Sequence, residues 1–192
     1  DPNGLIWYKG NYYVFFQWNR FAKDHSSKAW GFATSSDLVH WQFQGSALLP
    51  DQPYDAQGVY SGSAIEIDGK LHLYYTGNVK QDGHRISRQC MAVSADGFHF
   101  QKQGSVFTTP SGYTEHFRDP KVIAAPEGGY QMVIGAQQSS GLGAVLLLVS
   151  PDGRQWLRCC VVGTSQLYQM IECPDLFTLD GATVLLYCPQ RR

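Results

Sequence analysis

A chain of 192 residues, 43% hydrophobic and 14% aromatic, is long enough to bury a core of its own. Its 15 Lys and Arg against 16 Asp and Glu leave a formal charge of −1 with no basic run to neutralise a string of phosphates, which excludes a nucleic-acid partner. The longest apolar stretch, Ala144 to Val149, is far short of the roughly 20 residues a bilayer requires, which excludes a membrane-spanning helix.

The chain opens on Asp1-Pro-Asn-Gly4 and enters an alternating apolar strand at Leu5, a Lys9-Gly10 turn and a second strand to Phe16. This aromatic and β-branched pattern around a glycine turn is the signature of a β-hairpin. It returns at Ala64 to Tyr75 around Asp68-Gly69, at Val122 to Gly135 around Glu127-Gly-Gly129, and at Leu176 to Tyr187 around Asp180-Gly181. After each of the first three hairpins comes a turn entered by Ser and Asp and closed by an aromatic: Ser36-Asp37 to Trp41, Ser94-Ala-Asp96 to Phe100, and Ser150-Pro-Asp152 to Trp156.

The hairpin glycines Gly10, Gly69, Gly129 and Gly181 are 59, 60 and 52 residues apart, and each interval has room for about four short strands. No helical periodicity competes. Four strands per repeat is the period of a β-propeller blade, so the fold class is all-β with four-stranded blades. Blade 1 is expected at about 1–50, blade 2 at about 58–105, blade 3 at about 117–162 and the start of blade 4 at about 170–192. Since propellers have about four to eight blades, the chain is expected to be a fragment of some three and a half blades, truncated at both ends.

In a propeller the first strand of every blade lines the central channel, and equivalent positions become neighbours. Counting back nine or ten residues from each hairpin glycine lands on Asp1, Tyr60, Asp119 and Glu172. An isolated acid at a strand entry usually caps a turn. Three acids at one channel mouth are different, because gathering like charges is costly unless a reaction uses them. Glycosidic hydrolysis does: one ionised carboxylate attacks the anomeric carbon and one protonated carboxyl donates to the leaving oxygen.

On five blocks the sequence resembles glycoside hydrolase family 32, the invertases, levanases and inulinases: Asp1-Pro-Asn-Gly4, Phe16-Gln-Trp-Asn19, Tyr60-Ser-Gly-Ser-Ala64, Phe117-Arg-Asp-Pro-Lys121 and Glu172-Cys-Pro-Asp175. The resemblance implies a five-bladed propeller followed by a β-sandwich. It makes Asp1 the nucleophile, Glu172 the acid and then the base, and Asp119 a stabiliser of the transition state. It also places Gln17, Trp30, Tyr60, Ser61 and Arg118 around the fructose. Tyr74-Tyr-Thr-Gly-Asn-Val79, Arg88-Gln-Cys-Met-Ala92 and Val133-Ile-Gly-Ala-Gln137 resemble the bacterial branch that hydrolyses sucrose 6-phosphate. Phe32 departs from the His that many relatives carry there. The implied activity is retaining hydrolysis of terminal β-D-fructofuranosides, with sucrose, sucrose 6-phosphate or a fructan as partner. Cys173 is expected to pack against the Glu172 carboxyl.

Two rivals fit the same propeller. A fructosyltransferase would pass fructose to a sugar instead of water, and a non-catalytic sugar-binding propeller would have lost one of the three acids. No cofactor and no metal is implied: His25, His40, His72, His84, His99 and His116 show no ligand spacing. Gly141-Leu-Gly143 lacks the rest of a nucleotide fingerprint. Cys90, Cys159, Cys160, Cys173 and Cys188 are odd in number and lack C-x-x-C spacing, which points to reduced thiols and a cytoplasmic setting. The oligomeric state has no signature in the sequence.

Overall fold

Four tight turns set the topology. Lys9-Gly10, Asp68-Gly69, Asp82-Gly83 and Asp180-Gly181 have positive φ at both residues (46° and 84° at the first), the two-residue turn whose twist matches that of paired strands. In the computed structural model, which describes residues 1–21, 23 and 26–191, these turns join strands into antiparallel meanders. His25 lies outside the described residues.

The first meander comprises β1 (Pro2–Tyr8), β2 (Asn11–Trp18), β3 (Ala29–Ser35) and β4 (Gln42–Leu48). The second comprises β5 (Val59–Ile67), β6 (Lys70–Gln81), β7 (His84–Ser94) and β8 (Gln101–Thr108). The third runs through β9 (Tyr113–Ala124), β10 (Tyr130–Gln138), β11 (Gly143–Ser150) and β12 (Leu157–Ser165), and β13 (Tyr168–Leu179) pairs with β14 (Ala182–Arg191) as a hairpin. The first strands are innermost: β5 packs against both β1 and β9, and β9 against β13.

The cores lie between sheets. Tyr8, Phe15, Trp30 and Phe32 of the first sheet bury themselves against Leu73 and Tyr75 of the second. Tyr74 and Met91 meet Phe117, Met132 and Leu146 of the third, and Val133 and Val145 meet Ile171 and Leu176 of the hairpin. Burying one such side chain is worth about 1.5–3 kcal/mol, so each blade depends on the next. Gly135 makes the last junction possible, since a Cβ there would stand 2.2 Å from the Ile171 carbonyl oxygen.

The Ser and Asp turns recur with one correction. The serine of the first copy is Ser35, not Ser36: its Oγ accepts from the Leu38 amide at 2.9 Å, as Ser94 does from Gly97 at 2.8 Å and Ser150 from Gly153 at 2.9 Å. Asp37, Asp96 and Asp152 each accept two further amides of the turn. The later copies pack against the preceding sheet, with the Tyr8 hydroxyl donating to the Ala95 carbonyl and the Tyr74 hydroxyl to the Gly153 carbonyl.

Every inner strand slips register against its returning strand, between Asn3 and Ile6, Tyr60 and Gly62, Arg118 and Lys121, and Glu172 and Asp175. These are β-bulges, which bend a strand and re-aim its side chains. Two bulges hold non-glycine residues at positive φ, Asp119 at 67° and Cys173 at 45°. Aspartate is among the few non-glycine residues that adopt that conformation readily, whereas cysteine is not, so packing must hold Cys173 in place.

Candidate active site

The bulges and turns settle which residues share a level. Gln17, Thr76 and Cys188 each lie six residues after the start of their returning strand (Asn11, Lys70, Ala182) and stand opposite Asp1, Tyr60 and Glu172. Asp119 breaks the equivalence expected from glycine counting. The β9–β10 connection spans residues 125–129 instead of two residues, so position 117 holds the matching level and Asp119 sits inside the bulge, deeper in the channel.

Despite that offset the three acids meet. Asp1, Asp119 and Glu172 line one cavity of about 420 Å³ with Gln17, Tyr60, Ser61 and Arg118. Below it a smaller space of about 160 Å³ continues down the channel, and Asp119, Ser61 and Cys173 border both. Trp30 is elsewhere. It is fully buried in the core between the first two sheets, and its indole N–H donates to the Tyr60 carbonyl at 3.0 Å. The tryptophan therefore positions Tyr60 and does not face the cavity, a correction to its expected place around the sugar.

The opening Asp-Pro-Asn-Gly is built as a brace. The Asp1 carbonyl accepts from the Gln17 amide at 3.0 Å and from Asn3 Nδ2 at 3.3 Å, while Asn3 Oδ1 accepts from the Gly62 amide of β5 at 3.3 Å. Asn3 is buried, so the bonds tie the Asp1 backbone to the neighbouring blade. Gly4 turns at φ 54°, where a Cβ would press 2.9 Å from the Phe15 ring. Gln17 Nε2 donates across to the Val59 carbonyl at 3.1 Å.

Asp119 is clamped from two sides. Its amide donates to Thr76 Oγ1 at 2.9 Å, the Thr76 hydroxyl donates to Gln89 Oε1 at 2.9 Å, and Gln89 Nε2 donates to the Phe117 carbonyl at 3.1 Å. Thr76 and Gln89 are buried, so this chain welds blade 2 to the bulge. From the other side the Cys173 amide donates to Asp119 Oδ2 at 3.0 Å and its thiol approaches the same oxygen at 3.5 Å. Cys173, expected to pack against Glu172, thus hydrogen-bonds to Asp119. Burial pushes the Asp119 carboxyl above the usual aspartate range; the Cys173 amide and Arg118 pull it back, and the Glu172 charge adds to the rise. Burial and the Asp119 charge push the Cys173 thiol strongly up, so it stays a protonated donor.

Glu172 is held by longer side chains. Arg118 Nε and Nη2 both donate to Glu172 Oε1, at 3.0 and 2.5 Å, and Gln190 Nε2 donates to Oε2 at 2.6 Å. Arg118 Nη1 also reaches His116 Nδ1 at 3.1 Å. Burial and the Arg118 charge lower the His116 pKa, which leaves the neutral ring to accept that bond. Lys28 and Arg85 complete the mouth beside Tyr60. Burial lowers the Lys28 pKa, against the opposing pull of Asp119.

Sequence reasoning missed Lys28, Arg85, Thr76, Gln89, His116 and Gln190. Thr76 and Asn78 did leave a trace, as polar residues ending the buried run of β6. Gln190 left none, because its place depends on the β13–β14 register. Among the described residues no group of three or more His, Cys, Asp or Glu is placed to hold a metal ion.

Comparison with known proteins agrees with this geometry. Residues 1–192 match the family model described as the glycosyl hydrolases family 32 N-terminal domain. The chain is 47% identical over 197 aligned residues to a sucrose-6-phosphate hydrolase of Bacillus subtilis, covering 99% of this chain and 41% of the relative. It superposes on the structure of a sucrose-6-phosphate hydrolase from Lactobacillus gasseri with a TM-score of 0.93 at 37% identity, covering 100% of this chain and 40% of that one. A mutant family 32 β-fructofuranosidase of Bombyx mori in complex with sucrose superposes with a TM-score of 0.89 at 34% identity, covering 99% and 41%. The chain spans about two fifths of the length of these relatives.

Proposed function

The chain belongs to glycosyl hydrolase family 32, and from that membership we propose that it supplies the catalytic carboxylates of a retaining β-fructofuranosidase whose substrate is sucrose 6-phosphate. One observation carries the reading: Asp1, Asp119 and Glu172, drawn from three inner strands, line one cavity. The three meanders and the hairpin are then blades of a partial five-bladed propeller, the first at 1–50, the second at 58–105, the third at 117–162 and the fourth beginning at 170.

In the first step the Asp1 carboxylate attacks the fructosyl C2 while Glu172 gives its proton to the glycosidic oxygen, and the glucosyl part leaves as an alcohol. In the second, Glu172 takes a proton from water, which attacks C2 and releases Asp1 and fructose. Asp119 sits deeper than this pair, where its fixed carboxyl grips fructose hydroxyls as charge develops on the ring. Arg118 keeps Glu172 in place between the two proton transfers. The 47% identity to the Bacillus sucrose-6-phosphate hydrolase supports the phosphorylated substrate. Five free cysteines support a cytoplasmic setting.

The test is fructose release by the full-length protein from sucrose and sucrose 6-phosphate, with Glu172→Ala as control. Release that needs Glu172 and is faster on the phosphorylated sugar is expected. Faster release from plain sucrose would move the reading to an invertase. Transfer of fructose to sugar at high sucrose would move it to a transferase, and no release from either sugar would overturn it.

A further inference from the structure

Three cations line the cavity, and two of them have no carboxylate partner among the described residues. Arg118 is engaged by Glu172 at 2.5 Å. Lys121, in the channel below, pairs with Asp175 at 2.8 Å, and Lys102 pairs with Asp51 and Asp55 far from the mouth. Among the described residues no ion pair engages Lys28 or Arg85. Both approach the same ring: Lys28 Nζ is 5.0 Å and the Arg85 guanidinium 5.6 Å from the Tyr60 centroid.

Their placement is set by the backbone. The Lys28 carbonyl accepts from the Val59 amide at 2.8 Å, which fixes the end of the β2–β3 connection beside Tyr60. Arg85 is the second residue of β7, brought over Tyr60 by the β6–β7 hairpin. Two like charges at one half-buried ring repel, and burial has stripped Lys28 of part of its water. A dianion shared between them would relieve both costs through charge-assisted hydrogen bonds, with the guanidinium offering a two-pronged donor.

We infer that Lys28 and Arg85, together at the Tyr60 rim, form the subsite for a phosphate group on the leaving sugar. This rests on the proposed hydrolase reading and deepens it. Depth gives the orientation. Asp119 holds the fructosyl end inside the bulge level, Asp1 and Glu172 flank the scissile bond one level out, and the leaving sugar extends to the mouth where the two cations stand.

The experiment compares kcat/KM on sucrose 6-phosphate and on sucrose for the full-length protein and its Lys28→Gln, Arg85→Gln and double variants. Each single variant is expected to lose about tenfold to hundredfold on the phosphorylated sugar, mostly in KM, and at least tenfold less on sucrose. The Lys28→Arg variant is expected to recover most of the loss. Glucose 6-phosphate as a product inhibitor should weaken in parallel. Equal losses on the two sugars, or none on either, would overturn the phosphate subsite while leaving the hydrolase intact. A wild-type protein that releases fructose from neither sugar would overturn the parent reading instead.

Discussion

Asp119 and Glu172 stand in the same cavity but are held by opposite means. Asp119 is 7% exposed, sits on a bulge at φ 67° and is fixed by backbone amides and short neutral side chains. Glu172 is held by the long side chains of Arg118 and Gln190, one from the neighbouring blade and one from its own hairpin. A rigid, desolvated carboxyl suits a group that must meet developing charge without rearranging. A carboxyl held only by side chains suits one that must lose a proton and regain it once per turnover. The difference supports the two roles proposed for them.

Four variants would break or sharpen that contrast. Glu172→Gln should lower kcat about 10²–10⁴-fold on sucrose 6-phosphate, and far less on a fructoside whose leaving group needs no proton. Asp119→Asn should cost about 10²–10³-fold on both kinds of leaving group, measured by the same steady-state assay. If the leaving group rescued Asp119→Asn and not Glu172→Gln, the roles would be exchanged. Thr76→Val leaves the Asp119 amide without its acceptor in a buried place, and about a tenfold fall in kcat with little change in KM is expected. Thr76→Ser should restore it.

The smallest effect concerns stability against pH. Burial raises the Asp119 carboxyl in the folded state, so folding binds its proton more tightly than the unfolded chain does. Stability is therefore lost as pH rises from the ordinary aspartate range through the folded value, and Asp119→Asn should flatten that fall in a Tm-against-pH series. Asp37 and Asp96, pulled down chiefly by hydrogen bonds from His40 and His99, act in the reverse sense. Their contribution is present above the ordinary range and fades as pH falls, so Asp37→Asn should alter only the acid side.

Much of the fold was legible because it rests on local chemistry. Asp-Gly and Lys-Gly turns announce their hairpins, and their spacing announces the blades. The three acids were legible for the same reason, since repeats convert sequence position into spatial neighbourhood. What escaped were properties of register. The five-residue turn at 125–129 and the bulges move Asp119 off the level that counting assigns it. Trp30 was expected around the fructose, yet β3, buried on both faces, puts it in the core. Lys28 and Arg85 come from a connection and a hairpin with no shared spacing, so only folding reveals that they meet at Tyr60.

The most direct test of the account is the stereochemistry of the first product, followed by NMR while the full-length protein cleaves sucrose 6-phosphate in the presence of methanol. Two displacements, by Asp1 and then by the acceptor activated by Glu172, predict the β-anomer of methyl fructofuranoside and of newly released fructose. Appearance of the α-anomer would mean a single displacement by water or methanol, and would contradict the assignment of Asp1 as nucleophile.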